Sequence, residues 1–123
     1  MNVLEVNVLV LAYLGDTIYE NYVRRFLIKK GIANVNDLQK NAVKYVSAVS
    51  QSNYLKSMTD EDFLSDEEIV IVKRARNYKS YSKPKNCDIV TYKNATGLEA
   101  LIGYLDFVNN KDRVEEIMNY ILK

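Results

Sequence analysis

The feature that most constrains this chain is its first long segment, which is apolar on two helical faces and yet carries an acid within one of them. The periodicity predicts a helix from about Glu5 to Lys30. At about 100° per residue, Leu9, Ala12, Val23 and Leu27 fall within roughly 40° of Asp16, and Tyr19 lies about 60° away. Glu20, one turn on, shares the face with Asp16. Leu11, Leu14 and Ile18 make the opposite face apolar too. A helix of this kind is central to its fold or lies at a subunit contact. Two like charges four residues apart disfavour a helix by about 0.2–0.5 kcal/mol. Desolvation adds to that unless a cation or hydrogen bonds intervene. Asp16 is therefore the first residue that asks for an explanation.

The remainder also reads as helix, so the expected fold class is all-α. Gly31 follows Lys29 and Lys30 as a C-cap. Asn34 or Asn36 caps a second helix, Val35 to Ser57, in which Leu38, Ala42, Tyr45, Val46 and Val49 keep helical spacing. Thr59 or Asp60 opens a third, which runs through "EEIVIVKRAR" to near Asn77. The only proline, Pro84, makes 77–86 a loop. A fourth helix begins at Ile89 or Ala95 and ends near Asn109, and "KDRVEEIMNYILK" forms a fifth. "IVTY" has strand propensity but is short and isolated. No repeat or linker divides the chain, so one domain over 1–123 is expected.

Histidine is absent and Cys87 is the only cysteine. This excludes His-ligated zinc, Cys-rich metal sites, imidazole acid–base chemistry and an internal disulfide. If the chain is an enzyme, carboxylates must act, with a hard cation such as Mg²⁺ or Mn²⁺. No apolar run approaches the roughly 20 residues that span a bilayer, and the N-terminus does not read as a signal peptide. A cytoplasmic chain without membrane association is expected.

The net charge of +1 hides a concentrated segment. "KRARNYKSYSKPK" holds six cations, Lys73, Arg74, Arg76, Lys79, Lys83 and Lys85, and no acid. Outside it, 11 basic residues face 16 acidic ones. The chain is therefore an acidic body carrying one concentrated cationic patch, interleaved with Tyr78 and Tyr81. A second acid, Glu99 in "ATGLEALIGYLDF", shares a helical face with Tyr92, Ala95, Ile102, Gly103 and Asp106. The small Ala95 and Gly103 let another helix or a ligand come close.

"YLGD" followed much later by "LEALIGYL" resembles the paired signatures of the ribonuclease III family. Three further features resemble its short branch, the Mini-III ribonucleases. They are "YVSA" with Gln51 three residues later, the basic "KRARNYKSYSKPKN", and "AYLGDTIYE" with no acid four residues before Asp16. The resemblance covers nearly the whole chain. It implies one ribonuclease III-type helical domain, paired with a second copy as a homodimer, without a double-stranded-RNA-binding domain. Asp16 and Glu99 match the family's metal-coordinating, catalytic acids. The two other acids of the fuller set fall at Ala12 and Thr96, which argues against more than one metal per site. The implied activity is Mg²⁺-dependent cleavage of double-stranded RNA, with Mn²⁺ as a substitute, leaving 5′-phosphate and 3′-hydroxyl ends. The implied target is precursor of large-subunit, 23S-type ribosomal RNA. Lys73, Arg74, Arg76, Lys79, Lys83 and Lys85 are then the candidate RNA-binding residues, since a cationic loop with tyrosines suits the phosphates and 2′-hydroxyls of an RNA duplex.

Ordinary structural explanations compete with these. A basic run is commonly a solvated surface, and Glu20 and Asp106 read as structural. Lys44 and Gln51 could touch RNA but read as a solvated helix face. A non-catalytic RNA-binding module of the same fold is the main alternative, and retention of both Asp16 and Glu99 argues against it. A plain helical interaction protein is the third reading.

Overall fold

The structure, a computed structural model, describes residues 7–78 and 87–123. Within them the chain forms six α-helices and no strand: α1 (Val8–Lys29), α2 (Val35–Val46), α3 (Ala48–Asp60), α4 (Asp66–Arg76), α5 (Ile89–Phe107) and α6 (Lys111–Ile121). None of these helices is long and apolar enough to cross a membrane. Each starts on a side chain that accepts from the first turn: Asn7, Asn34, Ser47, Ser65, Asp88 and Asn110. Gly31, at φ +94°, turns the chain out of α1 as its position predicts.

The hub is α5 rather than α1. α1, α3, α4 and α6 all pack against it, and from Ala100 to Leu105 every residue is buried. α1 crosses α5 at glycine. A Cβ on Gly15 would overlap the carbonyl of Glu99, and one on Gly103 would overlap the carbonyl of Leu11. This crossing turns Leu11 inward, where it is 2% exposed, and leaves Leu14 and Ile18 half-buried. Of the apolar face Leu11, Leu14 and Ile18, Leu11 is thus core and Ile18 packs against the core from a half-buried position. The apolar residues that α1 presents outward near the crossing are Val10 and Tyr13.

Two expectations need correction. The helix expected from Val35 to Ser57 breaks at Ser47, whose extended backbone ends α2 while its side chain caps α3. Three consecutive carbonyls freed there find side-chain donors. Ser50 Oγ donates to Lys44 O at 2.7 Å, Tyr19 Oη to Tyr45 O at 2.6 Å, and Gln51 Nε2 to Val46 O at 3.0 Å. Serines competing for backbone groups account for the break. The next boundary also moves. Thr59 is not a cap but donates back to Leu55 O within α3, and α4 begins at a capping box formed by Ser65 and Glu68. Of the two starts expected for the following helix, Ile89 is the one observed, so "IVTY" is helical; Asp88 caps it and accepts from Thr91 N at 2.8 Å.

Glu68 has a second role. Arg113 of α6 grips it through Nε at 2.8 Å and through a second nitrogen at 2.9 Å, and that second nitrogen also donates to Phe63 O at 2.7 Å. The fork ties α6 to the start of α4.

Candidate functional site

The α1–α5 crossing sets the geometry of the site. Because Gly15 lies against the backbone of Glu99, the next residue of α1, Asp16, reaches the Glu99 side chain. The buried stripe of α1 runs through Leu11, Ala12, Gly15, Tyr19, Val23 and Leu27. Asp16 stands at its border, exposed, rather than in its middle as periodicity suggested. Glu99 is half-buried. Both line one cleft of about 330 Å³, and the two carboxyls are close enough to share a hydrogen bond.

Burial is the largest influence on Glu99, followed by the hydrogen bond to Asp16 and the charge of Asp16. Together they push the Glu99 carboxyl up to about 9. The Gln51 amide opposes the rise and Glu20 adds to it. At neutral pH the pair without a cation therefore holds a proton, as two crowded carboxylates must. Replacing that proton with a divalent cation would let both ionise, so an oxygen-only pair of this kind fits Mg²⁺ or Mn²⁺. Among the described residues, no group of three or more His, Cys, Asp or Glu could hold a metal, so a metal there would take only these two carboxylates from the described residues.

Ala12 and Thr96 line the same cleft. The two positions at which the fuller acid set would stand therefore face the site and carry no charge. The Thr96 hydroxyl donates to Tyr92 O of its own helix at 3.1 Å. Asp106 lines a different groove, with Tyr22, Arg25 and Lys111. Glu20 is half-buried and pairs with Arg24 at 3.2 Å.

Of the six basic candidates, Lys73, Arg74 and Arg76 lie exposed in the last turn of α4. Their neighbours Ala75 and Tyr78 line the cleft, and Asn7 donates to Tyr78 Oη at 2.9 Å. Lys79, Lys83, Lys85 and Tyr81 lie outside the described residues. Sequence reasoning missed Lys93, a cation that lines the cleft beside both acids. Its position six residues before Glu99 was the available signal. Gln51 is corrected: it is 3% exposed and turned toward Glu99, whereas Lys44 is exposed as expected. The break at Ser47 separates the two faces.

Residues 9–109 match the model of the ribonuclease III domain. The chain is 44% identical to a Mini-ribonuclease 3 of Enterococcus faecalis, over 97% of its own length and 90% of that protein's. It is 48% identical to a Mini-ribonuclease 3 of Brevibacillus brevis, over 91% and 82%. A crystal structure of a Fusobacterium nucleatum protein superposes with a TM-score of 0.85 at 34% identity, covering 94% of this chain and 92% of that one. By its helices, its paired acids and these relatives, the chain belongs to the ribonuclease III family, in its Mini-III branch.

Proposed function

We propose that this protein is a Mg²⁺-dependent endoribonuclease that cuts double-stranded RNA. The observation that carries the reading is the meeting of Asp16 and Glu99 in one cleft beside the cationic end of α4. Asp16 and Glu99 would hold the metal, with Mn²⁺ as a substitute. When bound, the metal supplies Lewis-acid stabilisation of the phosphate and a water of lowered pKa. With a cation bound, Asp16 and Glu99 would both be ionised and would serve as charged ligands rather than as proton carriers. With two protein ligands, water and RNA phosphate complete the shell, and metal binding without RNA is expected to be weak.

The remaining parts position the duplex. Lys73, Arg74 and Arg76 neutralise phosphates next to the cleft, and Lys79, Lys83 and Lys85 continue the same charge along the chain. A-form RNA offers phosphates and 2′-hydroxyls rather than base edges, so recognition is by shape and charge. The products are 5′-phosphate and 3′-hydroxyl ends. The substrate is precursor of large-subunit, 23S-type ribosomal RNA, which places the enzyme in the cytoplasm. The working form is a homodimer, in which each copy cuts one strand. Tyr13, 81% exposed, and Val10, 56% exposed, give α1 an outward apolar face beside the cleft that supports such pairing. Sedimentation at micromolar concentration should show the dimer, and a monomer with concentration-independent activity would refute it.

Incubation with duplex RNA, with and without Mg²⁺, tests the central claim. Cleavage only with metal is the expected result. Binding without cleavage would make this a non-catalytic RNA-binding module, and neither would leave a helical interaction protein.

A further inference from the structure

Gln51 is the polar side chain beside the pair that the chemistry above does not use. It stands in the first turn of α3 and is 3% exposed. Its Oε1 is a buried acceptor with no donor among the described residues. Its amide nitrogen carries two hydrogens. One goes to Val46 O at 3.0 Å, which leaves the second for the Glu99 carboxyl, whose ionised form the amide favours. The backbone that delivers Gln51 is fixed on both sides. Asn94 of α5 donates to the neighbouring Ser52 Oγ at 3.0 Å in a fully buried bond, and Tyr19 of α1 closes Tyr45 O across the helix break. A methionine of the same length would fill this space but would strand Val46 O, so the amide serves the helix break with one hydrogen and has the other to offer Glu99.

We propose that Gln51 is a positioning residue, whose amide holds the Glu99 carboxylate turned toward Asp16 so that the two acids meet one cation. The inference rests on the reading of Asp16 and Glu99 as the metal pair. Glu99 has three rotatable side-chain bonds, and the charges of Asp16 and Glu20 both oppose its ionised form. No third acid among the described residues would compensate for a Glu99 that swings away. The α2–α3 break is then part of the site, since it supplies the carbonyl that anchors the amide.

The test compares the wild-type chain with Gln51→Met. Mn²⁺ binding to the RNA-free protein is read by electron paramagnetic resonance, the Mg²⁺ dependence of cleavage by kinetics, and melting in chelator by circular dichroism. Melting should fall modestly, because Val46 O loses its donor. Mn²⁺ affinity should fall about 10–100-fold, half-saturating Mg²⁺ should rise in parallel, excess Mg²⁺ should restore much of kcat, and KM for duplex should not move. Wild-type Mn²⁺ affinity in the variant would overturn the proposal, as would a loss of rate that Mg²⁺ does not restore. If the wild type binds Mn²⁺ but cuts no duplex, the cleavage reading fails, while a drop in Mn²⁺ affinity still supports the role of Gln51. Should Gln51→Met fail to fold, the side-chain amide resonances of Gln51 in the unmutated protein decide. They should shift on titration with Mg²⁺ and on Glu99→Gln, and constancy in both would overturn the proposal.

Discussion

Gly15 and Gly103 meet at the crossing of α1 and α5 with no side chain between them. A Cβ on Gly15 would stand 2.9 Å from Gly103 N, and one on Gly103 would stand 3.0 Å from Gly15 N. Each would also overlap a carbonyl of the opposite helix. Both glycines are mid-helix, where alanine would ordinarily gain about 1 kcal/mol. The obstruction is backbone, which cannot rotate aside, so the overlap outweighs that gain. Gly15→Ala or Gly103→Ala should cost about 3 kcal/mol. In a chain of this size that corresponds to a fall on the order of 10 °C in melting temperature. Gly15→Ala should also lose cleavage disproportionately at temperatures where it remains folded, because it pushes Asp16 away from Glu99. Calorimetry with parallel duplex-cleavage assays checks both statements.

Asp16→Asn and Glu99→Gln keep shape and remove charge. Each should lower cleavage by about 10²-fold or more, while duplex binding changes little. In chelator at neutral pH, Glu99→Gln should melt higher than wild type, since burial and the neighbouring Asp16 force Glu99 to take up a proton on folding and the amide needs none. Near-normal cleavage by either variant would end the assignment of the pair.

The Glu68–Arg113 fork governs the acid side of stability. Burial pushes the Glu68 carboxyl up, but hydrogen bonds from Arg113 and from Ser65 outweigh it and hold the carboxyl below its usual value of 4.5. A depressed folded-state pKa means stability that is present above the unfolded value and lost as pH falls through the folded one. Glu68→Gln should therefore be less stable than wild type at neutral pH, and the two should converge on acidification. Arg113→Met strands a carboxylate that is 7% exposed and should cost about 3–5 kcal/mol at neutral pH. Urea titrations at several pH values measure both.

Replacing Lys73, Arg74 and Arg76 together with Ala should weaken duplex binding on any RNA sequence. If all three meet phosphates, the slope of log affinity against log salt should become shallower by about 2–3. The rate at saturating RNA should suffer less, because these residues position the duplex rather than hold the metal. Filter binding across a salt series reads the slope, and an unchanged slope would move the RNA to another surface.

The helices and the acids were legible where the signal is local. Caps such as Asn34, the periodicity of α1 and the small residues around Glu99 all speak within one or two turns of chain. The misreadings arise where distant groups decide. Ser47 breaks a helix whose periodicity is unbroken, because side chains from α1 and α3 stand ready to take its carbonyls. That break turned Gln51 from an apparent solvent face into the interior, and no spacing rule anticipates it. Asp16 is more exposed than its stripe implies because the axis of burial follows Gly15, a residue with no hydrophobicity to announce it. The Glu68–Arg113 fork joins residues 45 apart, beyond the reach of any pattern along the chain.

Asp16 lies in the first helix and Glu99 in the fifth of six, and that order has a consequence for how the protein is made. A chain synthesised from its N-terminus carries one of the proposed ligands early and receives the other only after α2, α3 and α4 have been added. Until α5 emerges and docks on α1, the growing polypeptide lacks the proposed cleavage centre, although it is tethered to a ribosome rich in duplex RNA. Premature termination before α5 would yield fragments without the proposed pair. The late arrival of its second carboxylate keeps the proposed nuclease harmless to the machine that builds it.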